Sequence, residues 1–305
     1  MTVLPSGAKA RANPAETAEH FSQLRPERPL SWVLGRVVSY AVLVLIAVVG
    51  LAPFAYLLII SFKSRLDVLS VPPSLDFHWA DISTNYHTVI HEKQFPTFVV
   101  NSILVTGVST AIALVLGVPA AYAFSRLRFR GRDTWASTIL SFRFMPPIAV
   151  AIPIYLLIRN LGFVNSHVGL VLPYVAFTLP LVVWIMIGFF DEVPREIDDA
   201  ALVDGCSRTS VLLRVMLPLV RPGIFVAATF GVIFIWNEFL VGLYIINSQE
   251  QETIPIAASA LLTVESPIDW NIAATVGVLT LIPILIFAAF AQRYIVRGMT
   301  AGAVR

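Results

Sequence analysis

Residues 94–125 read QFPTFVVNSILVTGVSTAIALVLGVPAAYAFS, thirty-two positions without a single charged side chain. A helix crossing the hydrocarbon core of a bilayer needs about 20 predominantly apolar residues, and this run exceeds that length. Working outward, three more uncharged runs are long enough, Val37–Phe62, Asn160–Phe190 and Trp270–Gln292. Two others, Thr134–Ile158 and Pro222–Ile246, each carry one charge, at Arg143 and Glu238. The chain of 305 residues is 57% hydrophobic and only 13% charged, against about 25% charged in an average soluble domain. The expectation is an all-α integral membrane protein with six spans, at about 37–62, 98–124, 134–158, 168–190, 222–246 and 270–292.

Charge placement orients these spans. Lys and Arg concentrate in short loops on the cytoplasmic side. Of 21 Lys and Arg, 16 fall before span one, between spans two and three, between spans four and five, and after span six; four fall on the other side. Both termini are therefore expected in the cytoplasm. Residues 1–30 are polar and proline-containing, and read as a disordered tail. With that tail in front and a long apolar run, span one does not have the form of a signal peptide. The single cysteine, Cys206, cannot form an internal disulfide.

Within span two, Ala113, Gly117 and Ala121 recur every four residues, which places small side chains on one face where another helix can approach closely. Prolines at 53, 119, 146, 147, 153, 173, 180 and 283 lie in or beside the spans. Each removes a donor and frees a carbonyl, which lipid tolerates only where protein or a watery path satisfies it.

The loop between spans four and five, EIDDAALVDGCSRTSVLLRVMLP at 196–218, is unlike the rest. Pro194 suits a helix start, and Glu196, Asp198 and Asp199 complement the positive end of the helix dipole. Gly205 can take the left-handed conformation that ends a helix, so a helix is expected over about 195–204. Ser207 can cap a second helix, which Pro218 interrupts. A solvated loop would not call for alanines and a glycine at these spacings, whereas docking into the cleft of another protein would.

On these residues the chain resembles the permeases of ATP-binding-cassette importers, whose loop reads E-A-A, three residues, G, nine residues, I-x-L-P. Here the pattern is Asp199-Ala200-Ala201, Gly205, then Val215-Met216-Leu217-Pro218, with Asp for Glu and Val for Ile. The segments NSILVT at 101–106, AAYAFSRLRFRGR at 120–132, WNEF at 236–239 and VRGMTAGAVR at 296–305 are similar to the carbohydrate-uptake group that includes maltose-type importers. The resemblance implies that Glu196, Asp199, Ala200, Ala201, Asp204, Gly205, Leu217 and Pro218 couple to an ATPase. It implies a second ATPase contact in the tail, at Gly298, Thr300, Gly302 and Arg305.

The resemblance further implies a noncatalytic subunit of the plasma (inner) membrane of a bacterium. Its partners would be a second, homologous permease, an ATPase dimer that binds ATP and Mg, and an extracytoplasmic sugar-binding protein. Consistent with ATP being bound elsewhere, the sequence has no G-x-x-x-x-G-K-[ST] loop, since none of Lys9, Lys63 and Lys93 follows a glycine. No cofactor and no nucleic acid is expected for this chain.

Ionisable groups inside a span are expensive and mark function by default. Glu238 and Asn237 are candidates for hydrogen-bonding sugar hydroxyls, with Trp236 offering a flat apolar face, and Arg143 is a candidate for the same path. Alternatively, Arg143 and Glu238 form a structural ion pair. His87 and His91 share a helical face beside Glu92, too few ligands for a metal site. The rival readings are an ion-coupled secondary transporter with Glu238 as the coupling carboxylate, and a permease of the same family for a non-sugar solute.

Overall fold

A computed structural model describes residues 30–71, 77–260 and 269–301. Among the described residues every regular element is helical. The helix α1 (Leu30–Ser61) contains Pro53. It belongs up to Ala55 to one unit, and the chain from Tyr56 onward forms another.

The second unit is organised around α2 (Phe95–Arg126), α5 (His167–Glu192) and α7 (Arg221–Trp236), with α9 (Trp270–Ala301) alongside α7. The small-residue face of α2 lies where the periodicity puts it: Ala113, Gly117 and Ala121 are buried, against Val182, Val183 and Met186 of α5. A Cβ on Gly117 would sit 2.6 Å from Val182 Cγ1, so glycine here is a condition of contact. Gly231 of α7 closes the same seam, since a Cβ there would meet methyls of Thr178 and Thr110 at 3.2 and 3.3 Å. In lipid, where apolar side chains gain little by leaving the solvent, such close backbone approach is a main source of helix association.

Four helices are individually long and apolar enough to cross a membrane, or up to six if each of two bent pairs counts as one span. The third expected span, 134–158, is such a pair. The helix α3 (Arg132–Ser141) continues as a 3₁₀ turn, Phe142–Phe144, and meets α4 (Pro147–Asn160) at 97°. The bend falls at Pro146-Pro147: Pro147 restricts its predecessor to extended backbone, and Pro146 has ψ 127°. The second bent pair is 208–219 with α7, so it does not coincide with the expected fifth span, 222–246, which is not one rod either. It consists of α7, a break at 237–239, and α8 (Leu240–Ile245).

Amide side chains tie down the ends away from the 195–205 helix. Asn85 donates to the carbonyls of Ser61 and Lys63 and accepts from Asn271, while Asn101 donates to the carbonyls of Glu250 and Glu252. Asn165, at φ 58°, accepts from the main-chain N–H groups of Asn247 and Ser248. Residues 1–29 lie outside the described residues, so the expected N-terminal tail does too.

If the α2–α5 contact is as tight as the Gly117 geometry requires, Gly117→Leu lowers stability by about 1–3 kcal/mol through overpacking. Gly107→Leu, where a Cβ meets nothing within 4 Å, is the size-matched control. Thermal unfolding of both variants in detergent checks this, and equal midpoints would remove the packing argument.

Candidate functional site

The loop after α5 folds as its local signals require. Pro194 is the N-cap of α6 (Arg195–Val203), and Glu196 and Asp198 occupy its first turn. Gly205 has φ +86°. Its N–H donates to the Leu202 carbonyl, and that of Cys206 to the Ala201 carbonyl, the paired bonds by which a left-handed glycine seals a helix end. The Ser207 side chain then accepts the N–H of Ser210 and starts the next helical segment. From Val211 to Met216 the backbone widens into a π-helix just before Pro218, whose missing N–H would otherwise break the ordinary ladder. The segment 208–219 joins α7 at 79°.

The α6 helix has two faces. Glu196, Asp199, Ala200 and Val203 succeed one another at helical spacing and are exposed, Val203 at 88%. Asp204 and Gly205 extend this exposed side beyond the helix end. Asp198, Ala201 and Leu202 form the other side. Ala201 and Leu202 pack on the core cluster that contains Tyr122, Met186 and Phe190, and Leu217 joins the same cluster from the second helical segment. Pro218 is exposed.

An ion pair not expected from the sequence anchors the inner side. Arg126 Nε, at the last residue of α2, donates to Asp198 Oδ2 at 2.7 Å, with side chains only 5% and 8% exposed. The Tyr122 hydroxyl donates to Asp198 Oδ1 at 3.1 Å. Arg126 Nη2 donates to the Val193 carbonyl at 2.6 Å, and Arg195 Nη2 to the Ser125 carbonyl at 3.3 Å. Ser125 in turn donates to Asp191. Of the two adjacent acids, Asp198 is buried and Asp199 exposed. The spacing of Tyr122 and Arg126, one helical turn apart at the end of span two, was the available signal, but nothing local indicates which acid they meet.

The four substrate-path candidates do not converge. Trp236 is buried, and with the exposed Asn237 it lines an apolar groove of about 500 Å³ among α2, α7 and α9, whose other walls include Ile103, Pro283 and Phe287. Asn237 Nδ2 donates to the Ile233 carbonyl. Glu238 turns inward: its two oxygens accept the N–H groups of Val241 and Gly242, at 2.9 and 3.3 Å. The ion pair considered from the sequence is not formed. Arg143 is exposed, with its guanidinium carbon 4.2 Å from the centre of the Phe234 ring, because the turn at 142–144 carries it onto an aromatic face of α7. Breaking the helix at 237–239 creates unpaired donors, and Glu238 satisfies two of them.

A separate cavity of about 300 Å³ has Lys93, Phe95, Phe98, Gln249 and Glu252 among its lining residues. Glu252 lies outside the candidate spans, and burial pushes its carboxyl above its ordinary pKa. The rings of His87 and His91 lie with centroids 4.7 Å apart, tilted by 40°. The group among the described residues whose ligand atoms do gather is Asp67, His78 and Asp81, but Asp67 already accepts the Ser64 hydroxyl at 2.7 Å in capping the 65–69 helix. Gly298 and Thr300 fall on the last turns of α9, whose helix continues to Ala301, and Gly302 and Arg305 lie outside the described residues.

Residues 113–301 match the family model described as "binding-protein-dependent transport system inner membrane component". The chain is 32% identical over 275 residues to the trehalose/maltose transport system permease protein MalG of Thermococcus litoralis, covering 90% of this chain and 98% of that one. It is 35% identical over 224 residues to the trehalose transport system permease protein SugB of Mycobacterium tuberculosis, covering 72% and 81%. Among solved structures, a chain of a bacterial ABC transporter involved in import of the acidic polysaccharide alginate superposes with TM-score 0.69 at 25% identity. The match covers 88% of this chain and 99% of that one.

Removing one partner of a buried ion pair strands the other, at a cost of about 3–5 kcal/mol. Asp198→Asn is therefore expected to lower stability on that scale and to open the 193–207 segment to proteolysis. Asp199→Asn, on the exposed face, stays within about 0.5 kcal/mol of the parent. Thermal unfolding and limited proteolysis of the two variants decide the matter, and equal behaviour would deny Asp198 its anchoring role.

Proposed function

The chain belongs to the family of binding-protein-dependent transport system inner membrane components, and from that premise we propose that it is one membrane half of an ATP-driven importer for a sugar or polyol. It is a multi-pass inner-membrane permease subunit. The observation that carries the coupling role is the two-sided α6 helix, held from within by Arg126 and Asp198 and open on its Glu196, Asp199, Ala200 and Val203 face.

In this reading the exposed face seats in a groove of a partner ATPase, which binds ATP and Mg and carries out hydrolysis. The small Ala200 side chain lets the two backbones approach, and Asp204, Gly205 and Pro218 complete the rim. Movement of that partner pulls α6, and the ion pair passes the displacement to the end of α2. Ala201 and Leu217 act from inside, keeping α6 on the core cluster. The tail positions Gly298, Thr300, Gly302 and Arg305 form a second contact with the same partner. In this reading the chain has six spans with both termini in the cytoplasm, α3 with α4 counting as the third and α7 with α8 as the fifth.

The other partners in this proposal are a second, homologous permease and an extracytoplasmic binding protein that delivers the solute. The names of the relatives support carbohydrate as the solute class, trehalose and maltose for the MalG relative and trehalose for SugB. Trp236 and Asn237 are the residues proposed for the path, because the groove offers an aromatic edge and an amide side by side. Glu238 acts there as a helix cap that holds the break open, and Arg143 as a cation resting on Phe234. As a coupling carboxylate of a secondary transporter, Glu238 would have to release the N–H groups of Val241 and Gly242 at each cycle.

The test is purification of the assembled complex from membranes, identification of the co-purifying subunits, and measurement of solute-stimulated ATP hydrolysis. Ala200→Trp places bulk on the exposed face without disturbing the buried one. It is expected to leave membrane levels unchanged while reducing solute-stimulated ATPase at least about ten-fold, the effect of losing a well-packed contact of ~1.4 kcal/mol or more. Gly205 is a poorer probe, since its positive φ strains any other residue. Full stimulation in Ala200→Trp would mean that this face does not meet the ATPase.

A further inference from the structure

Where α2 ends beside α6 opens a cleft of about 630 Å³, part of whose lining, Arg128, Arg195 and Arg208 included, the transport reading leaves unused. Four arginines line it, Arg126, Arg128, Arg195 and Arg208, against two acids, Asp198 and Asp199. Arg126 and Asp198 neutralise one another. Three arginines then face one carboxylate, an excess of two positive charges. Arg195 donates to a main-chain carbonyl, which leaves its charge uncompensated. The side chains of Arg128 and Arg208 are exposed and make no hydrogen bond or ion pair with any described residue. Clustered guanidinium groups repel one another, and the geometry that relieves them is a shared anion with several oxygens.

The position of the cleft narrows the anion. Arg126 is the last residue of one candidate span, and Arg195 stands three residues after Glu192, the last of another. Both walls thus reach the depth at which apolar helix gives way to loop, the level of lipid headgroups. Leu127, Phe129 and Leu202 add apolar lining among the arginines, as suits a ligand that is charged at one end and greasy at the other. Basic pockets between spans are a recurrent way of holding anionic lipid.

We propose that this cleft binds the phosphodiester headgroup of an anionic phospholipid, with Arg128 and Arg208 as the principal contacts. Seated there, the lipid lies against Leu202 of α6 and steadies that helix from the membrane side, leaving the Asp199 carboxylate to the partner. The inference depends on the chain spanning a membrane and is independent of which solute it carries.

The assembled complex, in mild detergent, is offered mixed micelles of phosphatidylglycerol and phosphatidylcholine, and retained lipid is identified by native mass spectrometry. The wild type is expected to retain phosphatidylglycerol selectively. Arg128→Gln/Arg208→Gln retains roughly an order of magnitude less, the effect of two surface charges. Arg130→Gln, on the same loop but outside the cleft lining, behaves as the wild type. Arg128→Lys/Arg208→Lys keeps the charge without the planar fork and retains an intermediate amount, which keeps the proposal testable should the glutamine pair fold poorly. Equal retention in wild type and the glutamine pair, or an equal loss in Arg130→Gln, overturns the proposal in favour of diffuse attraction to a basic surface. Displacement of the lipid by excess inorganic phosphate would assign the cleft to free phosphate instead. Loss of a co-purifying subunit with lipid retention unchanged would make it a protein contact.

Discussion

The contact between Arg126 and Asp198 is the constraint on which the α6 end of this protein depends. A charged pair this deeply buried gives up most of its hydration, and the mutual attraction of the two groups approximately repays that loss. Its value lies in direction more than in net stability. Asp198 cannot turn outward without depriving a buried guanidinium beside Tyr122 of its counter-charge. Through this pair and the Val193 and Ser125 carbonyls, the end of α2, the end of α5 and the start of α6 are bound at one point. A helix of nine residues, too short to be stable alone, is thereby held in one orientation.

The same need to satisfy polar groups shapes the interior. Helices in a membrane protein can break only where their freed donors and acceptors find partners. At 237–239 the partner is the Glu238 carboxylate, which takes up two N–H groups of α8. At 146–147 the break is made by two prolines, one of which never had a donor to lose at the start of α4. At the ends far from α6, asparagines cap carbonyls across elements, Asn85 for the end of α1 and Asn101 for the segment before Ile254. Polar residues in this chain are thus mostly spent on the backbone, which accounts for the scarcity of side-chain ion pairs among the described residues.

The charges within the spans obey the same need. Read along the sequence, Arg143 and Glu238 are two expensive groups that invite pairing or a solute. In three dimensions each has a local use: Arg143 rests on an aromatic ring, and Glu238 terminates a broken helix. What remains beside them is the apolar groove with Trp236 and Asn237 at its wall. Any solute recognition there would rely on an amide and an aromatic surface, a neutral set suited to neutral hydroxylated solutes. Helix packing by small residues, as at Gly117 and Gly231, holds α2, α5 and α7 close together.

The sequence by itself determined the membrane class, the small-residue face of α2, and the start, end and capping of the 195–205 helix. These features follow from local causes: uncharged runs of sufficient length, residue spacing on one helix, and the conformational habits of Pro194, Gly205 and Ser207. The family resemblance was legible for the same reason, since its motif lies within one loop. Only the tertiary structure decided which of the neighbouring acids, Asp198 or Asp199, is buried, because the deciding partner, Arg126, lies seventy-two positions away along the chain. It likewise decided that Glu238 caps a helix, that Arg143 meets Phe234, and that the 134–158 segment turns through 97°. Hydrophobicity and charge specify what a residue would lose by burial. Which partner compensates that loss depends on how distant helices are brought together.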